Sequence, residues 1–568
     1  MTIYRAPEKE FLFLLEHICN YSDIAQQPGF EDASLEMVAE LLPEAAKFFE
    51  QEIAPSNHPS DQQGSHVENG TVTVPDVINA LHPQLVESGW LTLASKTQYG
   101  GSGFPNLVGL TVNEMLQSSN VAYSLLSLLT QGVIHALDLY GSDEQKQTYL
   151  GNLVTGQWSG TMNLTEGNAG SDLGNVKTKA VRNGDHYLIS GQKIYITWGD
   201  QELSENIIHL VLARTPDAPE GTKGISMFIV PKYLLDADGN PGQRNDVQTV
   251  STEHKLGIHA SPTCVMQYGD NGGAVGYLVG EENKGLMYMF AMMNQARLAV
   301  GHQGVAVAER AYQQALGYAK DRVQGSVDGK PAAIIAHPDV KRMLLTMRAL
   351  TEASRALSFY AIACQDRGQQ TLLDVTTPLV KAWCTEVAME STSLGVQVHG
   401  GMGFVEETGA AQHLRDCRIF PIYEGTNGIQ ALDFIGRKCL RDGGSGVQQL
   451  LAEMQQLAGD CSQWPQLQTA LSQCEDALAW VLSNPKASPA VAFDFMMLYA
   501  STLAGCLMAT SHRKAKAVCD EHSGDSFYTR KTTTCAFYLA NLLPRSHTYF
   551  TGVTASAELG GDELWLAE

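Results

Sequence analysis

The period at which apolar residues recur constrains this chain more than any other feature. Through about Gly156 the period is helical. "SLEMVAELLPEAAKFFEQEI" spaces apolar side chains three and four apart, and "VPDVINALHPQLVESGW" and "DEQKQTYLGNLVTG" read the same way. After "QWSG" the period becomes two. "HYLISGQKIYITWG", "NIIHLVLART", "GISMFIVPKY" and "TCVMQYG" alternate, carry β-branched and aromatic residues, and are separated by Gly, Asp and Pro turns. From "ENKGLMYMF" onward the helical period returns. A chain that switches period twice is α+β and mostly α. The expected order is an N-terminal helical domain over 1–156, an antiparallel β domain over 157–280, a four-helix bundle over 281–440, and a further helical domain over 441–568. The turns between strands leave no room for crossover helices, hence the antiparallel expectation. "RDGGSG" reads as the linker before the last domain.

A chain of 568 residues is too long for one core. Its formal charge of −23 disfavours a polyanionic partner. Eleven cysteines are scattered without a CxxC pair or a His-Cys cluster, which implies buried reduced thiols and no metal site. The opening "MTIYRAPEKEFLFLLEH" lacks a basic n-region, a long apolar run and a small-residue cleavage site, so a cytoplasmic location is expected. Ala490 to Thr510 is apolar enough to mimic a membrane span. It carries Asp494 and many small residues, and reads as a core helix.

Three segments carry chemistry. "MNLTEGNAGSDLG" (Met162 to Gly174) offers small residues through which backbone amides reach a ligand, with hydroxyls at Thr165 and Ser171. No strand–Gly-x-Gly–helix unit surrounds it, so it is not a Rossmann fingerprint. "GQKIYITWG" sets Tyr195, Thr197 and Trp198 on a strand, where core aromatics are the plain alternative. "LGVQVHGGMGFVEE…LRDCRIFPIYEGTNGIQ" ends on Glu424 between apolar neighbours. Such neighbours desolvate a carboxyl, raise its pKa and make it a better base.

In this order and at these separations the segments resemble the acyl-CoA dehydrogenase family of flavoproteins. "TEGNAGSD" is similar to that family's "TEPGAGSD" loop, "GQKIYIT" to its "GEKxWIT" strand, and "IYEGT" matches its catalytic segment. "ARLAVGHQGVAVAERAYQQALGYAKDR" resembles its helix running from one Arg to a flavin-contacting Arg. The long form, with an extra C-terminal helical unit, looks like the subgroup that includes 3-methylthiopropanoyl-CoA dehydrogenases.

The resemblance implies FAD-dependent oxidation of an acyl-CoA to a trans-2-enoyl-CoA. Glu424 takes the α proton and hydride passes to flavin N5. The thioester oxygen is held by the Glu424 N–H and a ribityl hydroxyl, and Arg297 supports the base. Some relatives carry the base just before that Arg; here the position is Ala296. FAD is expected to contact Met162, Leu164, Thr165, Ser171, Tyr195 and Thr197, then Arg322, Gln397, Gly401 and Thr426, with Arg322 and Gln397 acting across a homodimer interface. Electron transfer flavoprotein is the implied acceptor. Tyr195 replaces the usual Trp, Gly428 a common Gln, and "DRVQGS" the usual "ERxxFG". An acyl-CoA oxidase remains an alternative. A DNA-binding relative is disfavoured, because from Arg441 onward eight basic residues face thirteen acidic ones. No basic amphipathic face suggests membrane attachment.

Overall fold

The computed structural model describes residues 4–68, 70–521 and 525–555; the end of the expected last domain, 556–568, lies outside the described residues. The elements that matter here are helices α1 (Glu8–His17), α2 (Asp76–Ser88), α3 (Val121–Tyr140), α4 (Asp143–Thr155), α5 (Gly285–Asp321), α6 (Pro338–Asp366), α7 (Gln370–His399), α8 (Asn427–Leu432), α9 (Ala492–Glu521) and α10 (Ser526–Phe537). The strands are β1 (Trp158–Asn163), β2 (Lys179–Asn183), β3 (His186–Thr197), β4 (Asn206–Ala213), β5 (Ser226–Pro231), β6 (Val247–Thr252), β7 (Thr263–Tyr268) and β8 (Ala274–Leu278). They form two compact units: Ala45–Phe104 with Met115–Ala296, and Met1–Glu44 with Pro105–Glu114 and Arg297–Glu568.

The first unit holds the sheet. The Asn120 side chain accepts the Tyr123 N–H and starts α3. Ser142 and Gln145 close a capping box on α4. The strand order is β6-β7-β3-β8-β5-β4-β1, with β2 paired to β3. The pairing is antiparallel except between β1 and β4, which run parallel from Trp158↔Asn206 to Asn163↔Val211. A parallel pair needs a long connection, and the segment from Leu164 to Glu205, containing a 3-10 turn at Leu173–Asn175 and the β2–β3 hairpin, supplies one without an α-helix. Period-two burial is clear at the start of β6, but β1, β4 and β5 are buried at every residue. Central strands covered on both faces lose their alternation. Their core joins Leu129, Val133 and Leu137 of α3 to Trp158, Met162, Leu210 and Ile229, and to Met289 and Met292 at the start of α5.

The second unit is helical apart from a short antiparallel hairpin after α5, Val323–Val327 with Lys330–Ala333. Helix α6 packs along α7, and α9 lies against both. Helix α9 belongs to the one described segment long and apolar enough to cross a membrane (Ser488–Asp520), but 89% of its apolar window is buried inside the protein, as a core helix requires. Helices α5 and α7 approach to backbone contact. A Cβ at Gly304 would lie 2.4 Å from the Cys384 carbonyl oxygen, and one at Gly301 2.7 Å from Val380. Gly304→Val is therefore expected to cost about 1–3 kcal/mol through overpacking, read as a lower urea midpoint at unchanged slope. An unchanged midpoint would contradict this packing.

A buried ionic cluster ties the C-terminal helices to the rest of this unit. Lys531 of α10 donates to Glu10 of α1 and, at 2.9 Å, to Glu352 of α6. Arg348 donates to Glu352 at 2.7 Å, and Arg355 reaches Glu114 at 2.8 Å and Glu309 at 2.7 Å. Burial opposes the Lys531 charge, but Glu10 and Glu352 outweigh it and its pKa rises. All eleven cysteines are free and ten are buried.

Candidate active site

Glu424 sits on the loop between the short helix Ala410–Cys417 and α8. The loop is wound tightly: Ile422 N and Tyr423 N both donate to the Ile419 carbonyl, and Asn427 N donates to Pro421 O at 2.9 Å. The winding drives Glu424 to φ +56°, the left-handed region that residues with a Cβ rarely enter. Strain of this kind costs on the order of 1–3 kcal/mol and persists only where surrounding contacts enforce it. Here they do. Arg297 Nε donates to the Glu424 carbonyl at 3.3 Å, and Gln430 Nε2 donates to the Glu424 and Gly425 carbonyls at 3.4 and 3.3 Å. The Tyr423 hydroxyl is anchored on Gln303 Oε1. The Glu424 N–H, by contrast, donates to no protein acceptor among the described residues.

The Glu424 side chain is half-buried. Burial raises its pKa above the usual carboxylate range, while the positive charges of Arg297 and Lys381 pull it back. Arg297 is buried and lies 3.9 Å from Asp433; burial lowers its own pKa. Lys381 of α7 is buried too. Its Nζ donates to Asn427 Oδ1 at 2.9 Å, and burial pushes its pKa down to about 7 against the pull of Glu424.

In the sheet unit, β1 and β3 gather a second group. Met162 is buried near the end of β1, and Leu164 and Thr165 follow, half-buried. The Ile194 N–H donates to Thr165 O at 2.9 Å, and Thr161 Oγ1 to Thr197 O at 2.8 Å. The hydroxyls of Thr165 and Thr197 meet no protein partner among the described residues. Tyr195, at φ +59°, is 60% exposed. Trp198, at φ +51°, is the core aromatic, donating Nε1–H to Ala122 O at 3.2 Å. Ser171 is exposed on the loop beyond.

Of the remaining residues expected to hold the cofactor, Thr426 lies two positions beyond Glu424. There it caps α8, accepting the Ile429 N–H. Arg322, Gln397 and Gly401 lie near the chain-end sides of α5 and α7, where Tyr318 stacks on His399 with ring centroids 4.4 Å apart. All three are exposed.

Four contributors escaped the sequence reading. Glu166 and Lys193 lie inside "MNLTEGNAGSDLG" and "GQKIYITWG", where nothing local marks them as a pair. Lys193, fully buried, donates to Leu164 O at 2.9 Å and to Glu166 Oε1 at 2.8 Å, and burial pushes its pKa down to about 8. Glu166 also accepts from Thr178 Oγ1 at 2.6 Å and from the N–H groups of Lys177 and Thr178. This clamp fixes the loop after β1 to β3. The other two are Lys381 and Asn427. A lone Lys in the apolar run "PLVKAWC" was the available signal for Lys381.

Comparison with known proteins places these elements in one family. Residues 36–157 match the acyl-CoA dehydrogenase N-terminal domain, 161–270 its middle domain, 283–440 its C-terminal domain, and 450–559 the acetyl-CoA dehydrogenase C-terminal-like domain. The 3-methylmercaptopropionyl-CoA dehydrogenase of Ruegeria pomeroyi is 43% identical, covering 99% of both chains. A subunit of the caffeyl-CoA reductase–Etf complex of Acetobacterium woodii is 31% identical over 62% of this chain and 88% of its own. An acyl-CoA dehydrogenase structure from Bacillus anthracis, complexed with FAD, superposes with a TM-score of 0.74 at 23% identity, covering 99% of this chain and 94% of that one. Matched domain by domain and over nearly its whole length, the chain belongs to the acyl-CoA dehydrogenase family, oxidoreductases that use FAD to act on acyl-CoA thioesters.

Proposed function

We propose that this enzyme oxidises a short acyl-CoA across Cα–Cβ with Glu424 as the base, and that 3-methylmercaptopropionyl-CoA, the substrate in the name of the Ruegeria relative, is the first to try. The observation that carries the base assignment is Glu424 itself. It combines a carboxyl made more basic by burial with an unengaged backbone N–H on one strained residue. An α proton beside a thioester is weakly acidic, so abstraction needs both a base at Cα and a donor at the thioester oxygen. The Glu424 carboxylate and its N–H supply the two functions. Fixed donors of this kind contribute roughly 3–4 kcal/mol to transition-state stabilisation. Arg297 holds the Glu424 carbonyl and so helps keep the strained backbone at Glu424 in its left-handed conformation.

The residues of the sheet unit fit a flavin: an outward-facing aromatic ring at Tyr195, two unengaged hydroxyls at Thr165 and Thr197, and an exposed Gly/Ser loop. Met162, Leu164, Thr165, Ser171, Tyr195 and Thr197 would hold the ring system, and Arg322, Gln397, Gly401 and Thr426 the rest of the cofactor. When bound, FAD supplies the hydride acceptor. We further assign Arg297 to support of the base, electron transfer flavoprotein as acceptor, in line with the Etf-complex relative, and a homodimer in which Arg322 and Gln397 reach the partner's cofactor. The testing experiment is an anaerobic titration with a ladder of acyl-CoAs that includes the methylmercapto compound, followed at the flavin absorption band. Bleaching by one or more acyl-CoAs is expected. A holoenzyme that no acyl-CoA reduces would overturn the reading, and peroxide formation in air without an acceptor protein would favour an oxidase.

The Glu166–Lys193 clamp gives a separate expectation. Lys193→Met leaves Glu166 buried without its counter-charge, which typically costs about 3–5 kcal/mol. Because the clamp pins Leu164 and Glu166, FAD should dissociate at least about tenfold more readily, measured by the recovery of free-flavin fluorescence on dilution. Retention equal to wild type would remove the clamp from cofactor binding.

A further inference from the structure

Among the described residues, the loop carrying Glu424 is hydrogen-bonded to α7 at its Asn427 end, by buried Lys381, Thr385 and Asn427 and half-buried Glu386. Asn427 is its centre. Its backbone N–H closes the loop on Pro421 O, its Oδ1 accepts from Lys381 Nζ at 2.9 Å, and its Nδ2 donates to Glu386 Oε1 at 2.8 Å and Thr385 Oγ1 at 3.1 Å. Lys381 is fully buried and Asn427 is 5% exposed. A lysine placed there for packing alone would be a poor choice, because taking an ammonium out of water costs several kcal/mol and an apolar side chain would fill the same space at no such cost.

The charged groups around Lys381 can be named. From its own helix comes Glu386; from the loop, Glu424; from α5, Arg297. Arg297 is itself balanced by Asp433, which also binds Arg437 at 2.5 Å. Arg297 thus shares its charge with Asp433. Lys381 has no carboxylate partner in direct ion-pair contact among the described residues, because its nearest partner is the neutral Asn427 amide.

We propose that Lys381 and Asn427 form a positioning pair for the base: Asn427 pins the strained loop to α7, and Lys381 supplies a buried positive charge that favours the ionised, proton-accepting form of Glu424. This rests on the assignment of Glu424 as the base. Neither residue touches the reacting atoms. The sign follows directly. Removing the cation withdraws one of the two charges that lower the Glu424 pKa, so Glu424 keeps its proton to higher pH and is a competent base over a narrower range.

The test uses holoenzyme and does not need turnover. Infrared pH titration of wild type minus Glu424→Gln isolates the carboxyl band of Glu424 and its midpoint. The same difference is taken in a Lys381→Met and in a Lys381→Gln background; the second keeps a hydrogen bond to Asn427 but carries no charge. Both neutral variants should move the midpoint upward by at least about half a pH unit. The acidic limb of acyl-CoA-dependent flavin reduction should move with it, while FAD content stays at wild-type level. A midpoint unchanged in folded, flavin-loaded variants overturns the proposal, as does failure of both variants to fold, which would make Lys381 a residue of the fold. If flavin reduction is absent even in wild type, the assigned reaction fails; the infrared midpoints still decide the role of Lys381.

Discussion

Glu424→Gln should bind FAD and acyl-CoA normally and yet lose flavin reduction by about 10²- to 10⁴-fold, the range expected when a positioned base is removed. The amide is nearly isosteric, keeps the backbone conformation and leaves the N–H in place, but cannot take a proton at pH 7. The loss should therefore fall on the reduction rate and not on acyl-CoA affinity. The wild-type rate should rise with pH as Glu424 loses its proton. Burial lifts that limb above the usual carboxylate range, so the climb falls at higher pH than for an exposed Glu. Stopped-flow reduction at several pH values reads all of this. A variant that still bleaches within a few fold of wild type would move the base elsewhere.

A large effect on stability is expected from Lys531→Met. Lys531 is fully buried and serves both Glu10 and Glu352. Removing it strands carboxylates away from water, and breaking one partner of such a buried pair typically costs about 3–5 kcal/mol. The loss should appear in chemical denaturation as a lower midpoint. Adding Glu10→Leu should restore part of it, since Glu352 keeps Arg348 at 2.7 Å. Equal midpoints for wild type and Lys531→Met would show that the cluster contributes nothing net.

Much of this molecule was legible because its signals are local. The shift from a 3.6 to a 2 period marked the sheet, and the desolvated setting of Glu424 is contained in six consecutive residues, "PIYEGT". The alternation expected of β4 was not observed, because alternation reports one wet face and β4 has none. The parallel β1–β4 pair was missed because pairing partners about fifty positions apart leave no mark on either strand. Left-handed backbone at Glu424, Tyr195 and Trp198 is imposed by surrounding contacts; a side-chain type that favours it, such as Asn or Gly, is absent from these positions. Buried charges were the least legible. Lys193 and Lys531 look in sequence like ordinary surface lysines, and three-dimensional neighbours distinguish them; Lys381 alone of the three stands in an apolar run, "PLVKAWC".

The Lys531–Glu10 contact spans 521 positions of chain, which bears on the order in which the protein matures. Synthesis proceeds from the N-terminus, so α1 leaves the ribosome well before α10, which carries its counter-ion. Until then Glu10 has no ammonium to accept, and docking α1 on α6 would bury a lone carboxylate beside Glu352. The contact that locks α1 through Glu10 therefore forms only once α10 has been made, long after α1 itself.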